Sequence, residues 1–163
     1  IERQAIEISK LGKNVYVKIP IINTKNKSNI DLISKLKNKG IKINVTAIFT
    51  QKQTSSLIKK ICNKTEIIFS VFAGRIADTG VNPKLEIKKH VEICKKRRNA
   101  KVLWASVREV YNLIEAEEAK CSIITVPPSI LKKTKNFNKN LEKFSQETVQ
   151  MFFDDAKKSG YLL

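Results

Sequence analysis

Val15-Tyr16-Val17-Lys18-Ile19-Pro20 is an apolar run with a single charge inside it. It is short, rich in β-branched and aromatic residues and closed by a proline, so it reads as a strand. A strand inside a parallel sheet is buried on both faces, and a lysine there must hold its charge in low dielectric or give it up. Desolvation lowers a lysine pKa, and the neutral amine is a nucleophile that can form a Schiff base with a ketone. A plainer reading puts Lys18 at a strand end with its ammonium in water.

Working outward, four more apolar runs follow: IKINVTA (41–47), EIIFSVFA (66–73), KVLWASV (101–107) and CSIITV (121–126). Their length and their Val and Ile content favour strands. Helical patterns lie between them, at about 29–39, 50–62, 83–97, 108–119 and 127–134. Residues 2–11 predict a helix before the first strand, and 138–158 predict one after the last. Gly40 suits a C-terminal cap, Pro83 an early helix position and Gly160 the end of the last helix. Alternation of strand and helix without hairpin signals predicts an α/β fold with a parallel sheet and right-handed crossovers, in one domain over residues 1–163. An open doubly wound sheet fits, and so does part of a (β/α)8 barrel, which typically needs about 250 residues when whole.

Composition excludes several classes. A hydrophobic content of 42% with few Gly and Pro rules out a disordered chain. No apolar run approaches the length of a membrane span, and Ile1-Glu2-Arg3-Gln4 opens into polar helical sequence without a signal-peptide pattern. Three widely spaced cysteines, Cys62, Cys94 and Cys121, match no metal motif and suit a reducing, cytoplasmic setting. The formal net charge of +17 invites a polyanion partner. Five arginines against 27 lysines, distributed over nearly every predicted helix and without aromatic interleaving, argue against specific nucleic-acid recognition. Nonspecific adhesion to polyanions at low salt is still expected. His90 sits in a helical pattern without a nucleophile motif, and Cys94 and Cys121 read as packing residues.

Side chains alternate between the faces of a strand. Lys18 shares a face with Tyr16, Asn44 with Thr46, Ser70 with Phe72, and Ser106 with Trp104. Each strand thus offers an apolar face to a helix layer and a polar group near its C-terminal end on the other face. That end is where barrels carry their chemistry. Arg75 and Arg108 follow the third and fourth strands at equivalent positions, which suggests an anion site, since the guanidinium fork suits phosphate. Each could instead pair with a carboxylate such as Asp78 or Glu109.

Taken in order, VYVKIPI, GIKINVTAIFTQKQ, FSVFAGRIADTG, KVLWASVRE and CSIITVPPSIL resemble the C-terminal part of the transaldolase and fructose-6-phosphate aldolase family over about residues 12–160. The resemblance implies a (β/α)8 barrel and transfer of a dihydroxyacetone unit between sugar phosphates in the pentose phosphate pathway. It gives the Schiff-base role to Lys18 and places Asn44 and Thr46 in the site, with Thr46 positioning a catalytic water. Ser70, Phe72 and Arg75, then Ser106 and Arg108, would bind the substrate and its phosphate. No metal or other cofactor is implied, and no membrane; a homo-oligomer is compatible. Aldolase members carry Tyr where this chain has Phe72, which favours the transferase over the free aldolase.

The family's first three strands, which carry an Asp, an Asn and a Glu or Gln, have no counterpart before Lys18. The expectation is therefore an N-terminally truncated barrel, strands four to eight, inactive alone. A non-catalytic basic protein that binds polyanions is the alternative from another class.

Overall fold

The computed structural model describes residues 1–62 and 64–160. Helix α1 (Glu2–Ser9) leads into five units: β1 (Val17–Pro20) with α2 (Ile30–Asn38), β2 (Ile43–Ile48) with α3 (Gln51–Lys60), β3 (Ile67–Val71) with α4 (Ala73–Ala77) and α5 (Pro83–Cys94), β4 (Ala100–Trp104) with α6 (Asn112–Glu118), and β5 (Ile123–Ile124) with α7 (Pro128–Leu131). A 3-10 turn (Lys132–Asn136) and a long helix, α8 (Leu141–Ser159), follow. The strands form one parallel sheet in the order β1-β2-β3-β4-β5. Sequential order with every strand parallel is the arrangement of a barrel wall, and the sheet is that of a partial (β/α) barrel.

Local chemistry sets the boundaries. Thr50 caps α3 in a complete capping box with Gln53, and Asn82 caps α5 ahead of Pro83. Gly40 and Gly160 both take positive φ just past a helix end, as expected. One predicted boundary moves: the helix expected over 108–119, α6, starts at Asn112 because the buried Asn112 amide oxygen turns back to accept from the backbone N–H of Arg108 (2.9 Å) and Glu109 (3.3 Å). The short helix α4 is additional to the predicted elements.

The core lies between the outer face of the sheet and the helices. Ile43, Val45, Ile67, Phe69, Val71, Val102 and Trp104 project into it and meet Ile33 and Leu36 of α2, Leu57 of α3 and Ile87 of α5. Each fully buried aliphatic side chain contributes about 1.5–3 kcal/mol. Lys37 is also wholly buried, with its ammonium donating to Thr65 Oγ1 (2.7 Å) and to the carbonyls of Thr65 and Glu66. Its burial lowers its pKa to about 8.

Candidate active site

The other face of the sheet corresponds to the interior of a barrel. Register places Lys18 beside Asn44, Asn44 beside Ile68 and Ile68 beside Lys101. One step further up, Pro20 pairs with Thr46, and Ser70 pairs with Leu103. Lys18 and Lys101 are each the second residue of their strands. Lys18 and Asn44 therefore share one level of the sheet, and Thr46 and Ser70 lie on the next level toward the C-terminal ends of the strands.

Two of these residues touch. Ser70 Oγ donates to Asn44 Oδ1 at 2.6 Å, and the Ser70 side chain is almost wholly buried. Beside them β2 carries a bulge between Val45 and Ile48, with Ala47 at φ +57°. The bulge leaves the Thr46 hydroxyl buried without a partner among the described residues. A buried hydroxyl without a partner costs about 1–3 kcal/mol and has free capacity for one more hydrogen bond.

Lys18 is exposed, against the expectation of a strand buried on both faces. Among the described residues β1 pairs with β2 alone and has no strand on its other side. Its ammonium therefore reaches solvent beside an apolar groove of about 520 Å³ formed with Ile1, Ala5 and Ile8 of the α1 segment.

The fourth strand also departs from expectation. Trp104 faces the helix layer, wholly buried, while Leu103 and Ala105 face the interior with Ile68 and are packed by Tyr16, Phe72 and Ile123. Ser106 lies past the strand end at φ +64°, where the chain turns, so strand alternation does not set its direction. Its position comes instead from Gly74: a Cβ built there would lie 1.7 Å from the Ser106 carbonyl oxygen. Only glycine lets α4 approach the turn after β4 so closely.

That contact brings Arg75 and Arg108 toward the same end. Arg108 pairs with Asp78 at 2.5 Å, the carboxylate partner the sequence offered as an alternative to an anion. Arg75 is exposed and lies 5.7 Å from the Phe72 ring, which in turn packs against Phe49 at 5.8 Å. A further cluster escaped sequence reading. Tyr16 donates to Glu66, and Lys101 pairs with the same carboxylate at 2.7 Å. Burial, then the Glu66 contact, push the Tyr16 phenol up to about 12, and the lysine holds Glu66 below the usual carboxylate range. The i and i+2 spacing of Tyr16 and Lys18 was its one visible signal.

A model of the transaldolase/fructose-6-phosphate aldolase family matches residues 1–162. The chain belongs to this family. Among its relatives is a probable transaldolase of Caldicellulosiruptor saccharolyticus, 35% identical over 132 residues, covering 80% of this chain and 57% of the relative. A probable transaldolase of Bdellovibrio bacteriovorus is 29% identical over 158 residues, covering 96% of this chain and 67% of the relative. One from Clostridium botulinum is 34% identical over 127 residues, covering 77% and 54%. The chain thus spans little more than half to two thirds of the length of these transaldolase-family relatives. No helix among the described residues is long and apolar enough to cross a membrane.

Proposed function

We propose that this chain carries the Schiff-base half of a transaldolase active site, acting on phosphorylated ketoses. The observation that supports it most is an exposed lysine in register with Asn44, which accepts from Ser70, with the unpartnered Thr46 hydroxyl one step further along the same face. In this reading the Lys18 Nζ attacks the ketone carbon and forms a carbinolamine, which loses water to a protonated imine. The carbon–carbon bond beyond the adjacent carbon then breaks as the hydroxyl proton of the departing aldehyde is removed. The electron pair moves into the iminium, leaving an enamine that attacks an acceptor aldehyde. Asn44 and Ser70 orient hydroxyls of the bound three-carbon unit, and Thr46 holds the water lost and regained at the imine.

Arg75 and Arg108 hold the phosphate, Arg108 exchanging Asp78 for the ligand, with Ser106 at the turn between them. The proton-transfer base is not among these residues. Phe72 offers no hydroxyl to pass a proton to water, which favours transfer to a second sugar over release of free dihydroxyacetone.

The test is reduction with borohydride in the presence of fructose 6-phosphate. The chain should gain the mass of a reduced adduct on the peptide containing Lys18, and Lys18→Met should gain none. Equal labelling of the variant, or labelling spread over the surface lysines, refutes the assignment.

A further inference from the structure

Sorting the loops by sheet end shows a charge asymmetry that linear order hides. Five loops close the N-terminal end of the sheet, the end away from the candidate active site: 10–16, 39–42, 61–62 with 64–66, 95–99 and 119–122. They include KLGK (10–13), KGIK (39–42) and KKRRN (95–99), and their only carboxylate is Glu66, which is held by Lys101 and Tyr16. These loops thus carry cations almost without opposing carboxylates, whereas many of the lysines lie on the helices. At the opposite end the loops that follow the strands carry cations and carboxylates together: Lys25, Lys27 and Arg108 with Asp78 and Glu109.

Helix dipoles explain only part of this. Each helix C-terminus carries about half a negative charge, so the helix ends meeting here account for roughly two or three cations. Ion pairs account for a few more: Glu7 pairs with Lys10, Glu2 with Lys39 and Glu92 with Lys95. The other cations of these loops have no carboxylate partner among the described residues. They form one surface, because neighbouring loops are tied together. Lys42 Nζ donates to the Lys13 carbonyl (3.0 Å), Thr65 Oγ1 to that of Ile41 (3.2 Å) and Asn99 Nδ2 to that of Thr65. At one end of the surface, Arg97, Arg98, Lys95 and Lys120 rim a cavity of about 270 Å³.

We infer that this belt is a docking surface for the sugar–phosphate backbone of duplex nucleic acid, read by charge and not by sequence. Neighbouring strands lie about 4.8 Å apart, so the five loops extend over about 20 Å. A duplex presents about a dozen phosphates along that length. Tyr16 is the only aromatic residue in these loops, and its hydroxyl is engaged by Glu66, so there is no platform for stacking bases. Extended phosphate contact without base readout is what the surface can provide.

The test is fluorescence anisotropy of the chain with a labelled 20-base-pair duplex of arbitrary sequence, from 50 to 200 mM salt. Arg97→Ser/Arg98→Ser should weaken binding about tenfold or more and lower the salt slope by about 2, one for each lost contact. Lys25→Ser/Lys27→Ser removes the same charge at the other end of the sheet and should change affinity less than threefold. Lys96→Ser/Arg98→Ser, both exposed and without ion-pair partners, repeats the test should the first variant fold poorly. Equal losses in the two sets would mean net charge alone and overturn the proposal. So would no binding at 50 mM salt, or tighter binding to phosphatidylserine vesicles than to the duplex.

Discussion

The one histidine of the chain should make its stability fall between pH 7 and pH 5, well before its carboxylates titrate. His90 is wholly buried in α5, its Nδ1 2.7 Å from the equally buried Thr54 Oγ1 of α3, and its Nε2 has no partner among the described residues. Burial lowers its pKa from 6.5 to about 4; Glu86 nearby opposes this and Lys89 adds to it. The folded state therefore keeps the ring neutral where the unfolded chain takes up a proton. A depressed folded pKa means that this stability is full above about pH 6.5 and is lost as pH falls toward 4. The loss is about 2 kcal/mol by pH 5 and about 3 kcal/mol by pH 4, because a tenfold difference in proton affinity between the folded and unfolded chain is worth about 1.36 kcal/mol. Urea unfolding followed by Trp104 fluorescence at pH 7.5, 6.5, 5.5 and 5.0 measures it. His90→Leu with Thr54→Val, which removes both polar partners, should flatten the profile over this range. A wild-type profile that is flat from pH 7.5 to 5, or a double variant with the same slope, refutes the reasoning.

Gly74→Ala should destabilise the chain by about 2–3 kcal/mol, roughly 5–10 °C in Tm, because the obstacle is the Ser106 backbone and not a flexible side chain; a change below 0.5 kcal/mol would mean that α4 and the turn after β4 separate easily. Asn112→Ala leaves two loop N–H groups without their acceptor and should cost about 1–3 kcal/mol by urea unfolding, with weaker binding of sugar phosphates through Arg108. Arg75→Ala should reduce borohydride trapping with fructose 6-phosphate about tenfold to a hundredfold while leaving trapping with unphosphorylated fructose unchanged; equal losses would make the arginine structural. The chain should associate with itself, because α8 leaves Leu141 (81% exposed), Phe152 and Phe153 in solvent and because β1 and β5 each pair on one side only. Sedimentation giving a monodisperse monomer at micromolar concentration contradicts this.

The fold was legible because each local signal pointed the same way. Apolar runs too short for helices, helix-end signals at Gly40, Pro83 and Gly160, and the absence of hairpin turns leave a parallel sheet as the arrangement that satisfies all of them. The site was legible where strand alternation held: Tyr16 and Lys18, Asn44 and Thr46, and Ser70 and Phe72 do share the interior face. It failed at Ser106 because alternation ends with the strand, and one residue at positive φ redirects the chain. The exposure of Lys18 depends on whether another strand flanks β1, a property of the assembled sheet that no local pattern encodes.

The bulge in β2 shows how the legible and illegible parts depend on each other. Alternation alone puts Thr46 on the interior face, but gives no reason for its hydroxyl to be unpartnered. That reason is the conformation of Ala47, a residue that pays for positive φ where glycine would not. Three residues of β2 from Thr46 to Ile48 then span what two residues of β3 span, Ser70 and Val71. The ladder is interrupted beside Thr46 and resumes at Ile48, so the pairing that orders the rest of the sheet is locally suspended at the residue nearest the Ser70–Asn44 pair. Strain and an unmet hydroxyl coincide at one point of an otherwise regular wall. A regular strand there would remove both, so stability alone does not account for the conformation at this point.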